Sequence, residues 1–182
     1  MMQTAPNFSR CTVAYDGQQV LQKQASCGLA RALLENEARV LAQLAGLGAP
    51  AVVCVAQDNA VLTLCQEFIH GPTLMHTPLH LWPNLLAQLK ISLQSVHARG
   101  LVHGDLKPSN LIVTQTGIRA IDWEHALPIG AQIAGLPLRA VSLGMSDPSL
   151  IWGRGTVSTA IDHYSIERMS EMAADPNGQS PL

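Results

Sequence analysis

The run His103-Gly104-Asp105-Leu106-Lys107-Pro108-Ser109-Asn110, followed twelve residues past the Asn by Asp122, constrains this chain more than any other stretch. The extended runs Leu111 to Val113 and Ile118 to Ile121, around Gln115-Thr116-Gly117, follow it, so the polar groups are expected on loops flanking a short strand pair. Two carboxylates, a carboxamide and a lysine gathered this way suit phosphoryl transfer from a metal-bound nucleotide to a hydroxyl. One Asp would accept the hydroxyl proton, while the Asn and the second Asp are hard oxygen ligands matched to magnesium. A loop kept polar only for solubility needs none of this spacing.

With 182 residues, the chain fits one domain or two small lobes sharing a cleft. Its 47% hydrophobic and 13% charged residues support a core and exclude a disordered chain. A net charge of -2 and 4% aromatic residues give no general attraction to nucleic acid and no base-stacking platform. Cys11, Cys27, Cys54 and Cys65 make no CxxC pair and sit in apolar or strand-like stretches, as reduced cysteines of a cytoplasmic protein do. Met1 to Asn7 lacks the basic-then-apolar pattern of a secretory signal. The most apolar window, Val40 to Ala56, is interrupted by Gln43, Gly46, Gly48 and Pro50, so no membrane span is expected.

Along the chain, Cys11 to Tyr15 and Gln19 to Gln24 flank Asp16-Gly17 as a hairpin. Leu29 to Ala45 reads as a helix closed by Gly46 and Gly48, with Leu33, Glu37, Leu41 and Leu44 on one face. Glu37 is thus a charge on an apolar stripe and needs a cationic partner, for which Lys23 is the natural choice. Glu35 points outward with Arg31 and Arg39. Strands are expected over Ala51 to Ala56 and Val61 to Gln66, joined by Asp58-Asn59, then a helix from about Asn84 to Arg99. His76 and His80 are four apart, but Pro78 opposes the helix that would align them on a metal, so they read as loop residues. Glu124 to Thr156 lacks periodicity and is expected to be a long loop, before a last helix from about Thr159 to Ala174.

Taken together, these residues resemble the protein kinase superfamily over nearly the whole chain. The resemblance implies an α+β, bilobal fold. A small antiparallel-sheet N-terminal lobe would span about 8–69, a hinge about 67–71 and a truncated helical C-terminal lobe about 72–174, with a flexible tail over 175–182. It assigns Lys23 to hold the nucleotide's phosphates and Glu37 to pair with it. Gln66 takes the gatekeeper position, with the backbone of Glu67 and Ile69 binding adenine. Asp105 becomes the base, Lys107 the lysine aimed at the transferred group, and Asn110 and Asp122 the metal ligands. Gly144 to Ser149 resembles the end of an activation segment, and Asp162 a brace for the catalytic loop.

The chain departs from the family pattern in four places. Gly17 is the only glycine before Lys23, so the glycine loop over the nucleotide is missing. Gly104 stands where kinases carry Arg, and Trp123-Glu124 replaces Phe-Gly; Glu124 itself reads as a surface or helix-capping group ahead of an added metal contact. One helix follows Asp162, fewer than usually dock protein substrates. The expected activity is ATP- and Mg2+-dependent phosphorylation of serine or threonine in a protein. It would take place in the cytoplasm of the cell itself or of a host, with an activating or lobe-completing protein partner. Two alternatives stay open: a phosphotransferase for an aminoglycoside- or sugar-lipid-type hydroxyl, and a pseudokinase-like binding module.

Overall fold

The computed structural model describes residues 9–58 and 60–175. Strands β1 (Ser9–Tyr15) and β2 (Gln18–Ala25) form an antiparallel hairpin. Asp16 and Gly17 both have positive φ, 47° and 76°, the geometry that lets a two-residue turn follow the twist of its strands. That turn fixes the register, setting Tyr15 opposite Gln18 and Arg10 opposite Lys23. Strands β3 (Val52–Asp58) and β4 (Val61–Glu67) complete a four-stranded antiparallel sheet in the order β1-β2-β4-β3. Helix α1 (Gly28–Leu44) packs on this sheet through Leu33, Leu34, Val40, Leu41 and Leu44, and it ends at Ala45 in the left-handed region. On the outer side Arg31 and Glu35 pair at 2.9 Å, as the helical periodicity requires.

Helix α2 (Trp82–His97) begins and ends two residues before the expected bounds. Pro83 occupies the first turn, where its missing N–H leaves no bond unmade, and Trp82 anchors the start by donating its indole N–H to the Thr77 carbonyl at 3.1 Å. Short strands follow: β5 (Leu101–Val102), then the hairpin β6 (Leu111–Thr114) and β7 (Gly117–Ala120). The region expected to be an unbroken loop is partly structured. It holds β8 (Leu127–Pro128), paired with β5, and helix α3 (Pro148–Trp152). Asp147 caps α3 by accepting the Ser149 N–H at 2.7 Å, and Gly153 stops it in the left-handed region. Five residues are too few to display a helical period. Helix α4 (Ala160–Ala174) closes the fold within a residue of its expected start.

The α+β order expected from the sequence, sheet first and helices after, is the one adopted. The main hydrophobic core runs from Leu34 and Leu41 of α1 and Leu64 of β4, past Trp123, to Leu86, Leu89 and Leu93 of α2 and Ile166 and Met169 of α4. A smaller cluster gathers Val102, Leu127, Ile133, Leu150, Val157 and Ile161 under the segment that follows Glu124. Among the described residues, no helix is long and apolar enough to cross a membrane. The flexible tail expected over 175–182 lies, apart from Asp175, outside the described residues, as does Asn59 of the expected turn.

Candidate active site

Two groups of polar side chains meet where the sheet half faces the helical half. The first forms around Lys23, which is fully buried on β2. Its ammonium lies 2.7 Å from both carboxylate oxygens of Glu37, 2.8 Å from Asp122 Oδ1 and 3.4 Å from Glu124 Oε2. The Trp123 amide also donates to Glu37 Oε1 at 3.2 Å, and Asn36 holds the Glu124 and Ala126 carbonyls at 3.0 and 3.1 Å. Helix α1 is thereby tied to the turn at Trp123–His125 by the consecutive side chains of Asn36 and Glu37. Burial alone would lower the Lys23 ammonium, but Glu37, Asp122 and Glu124 outweigh it and hold Lys23 above its ordinary value. On balance Glu37 is raised to about 7: burial lifts it most, Lys23 draws it down, and Glu124 and Asp122 push it up. Asp122 is also desolvated, yet Lys23 and Arg10 keep its carboxyl below the usual range.

The second group surrounds Asp105, which is buried. Lys107 Nζ lies 2.6 Å from Oδ2, Ser142 Oγ donates to Oδ1 at 2.8 Å, and the Asn110 amide donates to the Asp105 carbonyl and Oδ2 at 3.0 and 3.2 Å. Asp162, fully buried at the start of α4, accepts from the His103 and Gly104 amides at 3.0 and 3.1 Å and meets His97 Nε2 at 2.9 Å. These bonds hold the loop from behind, as expected of a brace. His103 links the two groups: its Nε2 bonds the Ile121 carbonyl at 2.9 Å, while its Nδ1 accepts the Asp105 amide at 3.3 Å. The Ile121 amide donates in turn to the Asn110 carbonyl at 2.9 Å, setting Asp122 beside the loop.

Gly104 explains one departure from the kinase pattern. Its φ is 78°, and a Cβ there would lie 2.6 Å from the His125 carbonyl oxygen. No Arg fits that position without moving the backbone.

Of the remaining expected site residues, Gln66 is buried beside Leu21, and its Oε1 has no partner among the described residues. Such an orphaned acceptor costs about 1–3 kcal/mol unless an amino donor reaches it. Glu67 is more occupied than expected. Its amide donates to the Ala51 carbonyl at 2.8 Å, and its carboxylate takes Arg119 at 2.5 and 3.0 Å and the Ala51 amide at 3.1 Å. Partial burial would raise this carboxyl, but Arg119 and the Ala51 amide keep it low. Ile69, two residues on, is half-buried.

Glu124 is not a surface group: it is buried, and its oxygens reach Lys23 and Arg10. Oxygens of Glu37, Asp122 and Glu124 lie within 4.8 Å of one another. Asn110 turns its amide NH2 to Asp105, while its carbonyl oxygen accepts a long 3.4 Å bond from Ser109 Oγ and keeps a lone pair for a ligand. An all-oxygen donor set of this kind fits a hard divalent cation carried by a nucleotide. Arg10 and Ser142 were not expected here. Ser142 has no local sequence signal, since it reaches Asp105 through the turn in which its amide bonds Ser146 Oγ at 2.8 Å. Arg10 did have one, because the Asp16-Gly17 turn places it opposite Lys23.

Residues 16–129 match the phosphotransferase enzyme family. The serine/threonine-protein kinase AfsK of Streptomyces griseus is 32% identical over 166 residues, 85% of this chain and 20% of that protein. AfsK of Streptomyces coelicolor is 30% identical over 156 residues, 80% of this chain and 19% of that protein. Cyclin-dependent kinase 10 of Rattus norvegicus is 31% identical over 83 residues, 45% of this chain and 23% of that protein. The chain spans about a fifth of the length of the curated relatives it matches.

Proposed function

Because the chain belongs to the phosphotransferase enzyme family, we propose that it transfers the terminal phosphoryl group of magnesium-bound ATP to serine or threonine hydroxyls of a protein. The observation that carries this reading is the Asp105 carboxylate held between Lys107 and Ser142, in one loop with Asn110 and beside the Lys23–Glu37–Asp122 cluster. Asp105 accepts the proton of the attacking hydroxyl at its carboxylate, and Lys107 supplies positive charge next to it. Asn110 and Asp122 would hold the metal, with Glu124 in reach. The metal's chemistry is to withdraw charge from the phosphates. Lys23, kept charged and in place by Glu37, would hold the phosphates, while Gln66 and the backbone at Glu67 and Ile69 would hold the base. Lys107 and the similarity to kinases of serine and threonine support a protein acceptor.

The proposed setting is the cytoplasm, of its own cell or of a host, where ATP is present and the four free cysteines stay reduced. A protein partner that activates the enzyme would cover the exposed Leu143 and Trp152. Full activity of the isolated chain would count against such a partner.

Gly104 and the Trp123-Glu124 pair favour a second reading, a small alcohol as acceptor. Incubation with γ-labelled Mg–ATP, a cell lysate, and a panel of aminoglycosides and sugar alcohols separates them. Label in serine or threonine of proteins is expected. Label only in a small alcohol would establish the second reading, and no label in either would leave a binding module.

A further inference from the structure

We propose that Cys54 and Cys65 are a redox-modification site, which a hydroperoxide closes to a reversible disulfide across strands β3 and β4 beside the nucleotide site. The effect on nucleotide rests on the reading of Gln66 and Glu67 as base-binding residues; the chemistry of the pair does not. The two cysteines are directly opposite each other in the antiparallel pairing of β3 with β4. Residues so paired project from one face with Cβ atoms about 4.5–5.5 Å apart, close to the roughly 3.5–4.5 Å that a disulfide spans. Burial pushes the Cys65 thiol up to about 11, and the neighbouring Cys54 thiol adds to that rise. Cys11 is a poorer partner. It pairs with Gln22, which pairs with Cys65, so Cys11 and Cys65 are two strands apart. That is about 9–10 Å, beyond the ~7 Å between Cα atoms that a disulfide can bridge.

The sheet order puts β3 at an edge, where Cys54 is half-buried while Cys65 is buried. Cys54 is therefore the sulfur that meets the oxidant first. Leu64 is the residue opposite Lys23, so Cys65 projects from the other face of the sheet, away from the carboxylate cluster. The hydroperoxide gives one oxygen to the Cys54 sulfur as its O–O bond breaks, leaving a sulfenic acid and an alcohol or water. The Cys65 sulfur then attacks that sulfur. The S–S bond forms, the S–O bond breaks, and the departing hydroxide leaves as water with the Cys65 proton. Closure draws the strands together by about 1 Å. Cys65 directly precedes Gln66 and Glu67 on β4, so the pull displaces the groups assigned to the base and weakens Mg–ATP binding. A bridge that must draw its strands together is strained and easily reduced, so the thiols of a reducing compartment reopen it.

The test treats wild type, Cys54→Ser and Cys11→Ser with hydrogen peroxide and maps disulfides by mass spectrometry after cleavage at Asp58, which separates the two cysteines. Calorimetry follows Mg–ATP binding before oxidation, after it, and after dithiothreitol. Wild type and Cys11→Ser are expected to form an intramolecular link between Cys54 and Cys65. Both should then lose Mg–ATP affinity by about threefold or more, because a binding site tolerates displacements of only about 0.5 Å, and dithiothreitol should restore it. Cys54→Ser should form no such link and keep its affinity in peroxide. Oxidation that stops at a Cys54 sulfinic acid, or links only separate molecules, would overturn the proposal. A Cys54–Cys65 link that leaves Mg–ATP affinity unchanged would overturn its control of the site. Failure of the reduced wild type to bind Mg–ATP would instead overturn the reading of the nucleotide site, and the mass spectrum alone would then decide the disulfide.

Discussion

A methyl group at Gly104 would enter a space 2.6 Å from the His125 carbonyl oxygen, on a residue whose φ of 78° disfavours any side chain. The conformation alone costs about 1–2 kcal/mol for an L-residue, and the collision adds to it. Gly104→Ala is therefore expected to lower stability by at least that amount and to slow phosphoryl transfer by displacing Asp105. Chemical denaturation and initial rates on one preparation measure both effects. Lys23 calls for a different experiment, because its ammonium is the only cation in contact with Glu37 among the described residues. Lys23→Met leaves a buried carboxylate unpaired, at a cost of about 3–5 kcal/mol. The double variant Lys23→Met, Glu37→Gln should lose less than the sum of the single losses, by about 1–3 kcal/mol in a double-mutant cycle; strict additivity would show that the pair is uncoupled.

Glu37 was legible at this scale because a charge on an apolar helical stripe demands a partner. Ser142 was not, because a turn between residues 142 and 146 brings it to Asp105 from 37 positions along the chain. Glu124 was misread as exposed because its neighbour Trp123 had no visible destination in the sequence. The indole is fully buried in the core beneath the site, and it carries Glu124 inward.

At the scale of elements, β4 is joined to β7 by the Glu67–Arg119 ion pair, and both groups also hold the backbone of the 49–51 segment. The Glu67 carboxyl is held below its ordinary value in the folded protein, since Arg119 and the Ala51 amide outweigh partial burial. Its contribution is thus fully present above that value and is lost as pH falls through the lower, folded one. With both side chains partly exposed, 27% and 38%, that contribution is about 1 kcal/mol or less. Urea titrations through the acid range should show a fall in stability that Arg119→Ala makes shallower; an unchanged slope would contradict the assignment.

Most elements were visible as patterns: a turn at Asp16-Gly17, a stripe on α1 closed by Gly46 and Gly48, and a helical period over α2. The two-residue strand β8 and helix α3 were not, and the five residues of α3 are defined by a cap and a stop rather than by a period. Its place in the fold depends on Leu150 joining the smaller cluster with Val102 and Ile161, contacts far apart in the chain.

For the whole molecule, the decisive fact is that the sheet and the helices share one core, with the polar site laid across their junction. Unfolding should therefore follow a single transition by both fluorescence and circular dichroism. Mg–ATP at a hundred times its Kd should stabilise the folded state by about 2.7 kcal/mol. Two transitions, or a shift confined to one probe, would contradict a shared core.

The central claim is that this junction transfers phosphate with Asp105 as the base. It is tested most directly by measuring labelled phosphate transfer from Mg–ATP with wild type and Asp105→Asn, side by side with Mg–ATP binding. The variant keeps the size of the side chain and should retain binding while transfer falls by about 10²–10⁴-fold. Transfer by Asp105→Asn at the wild-type rate would contradict the account.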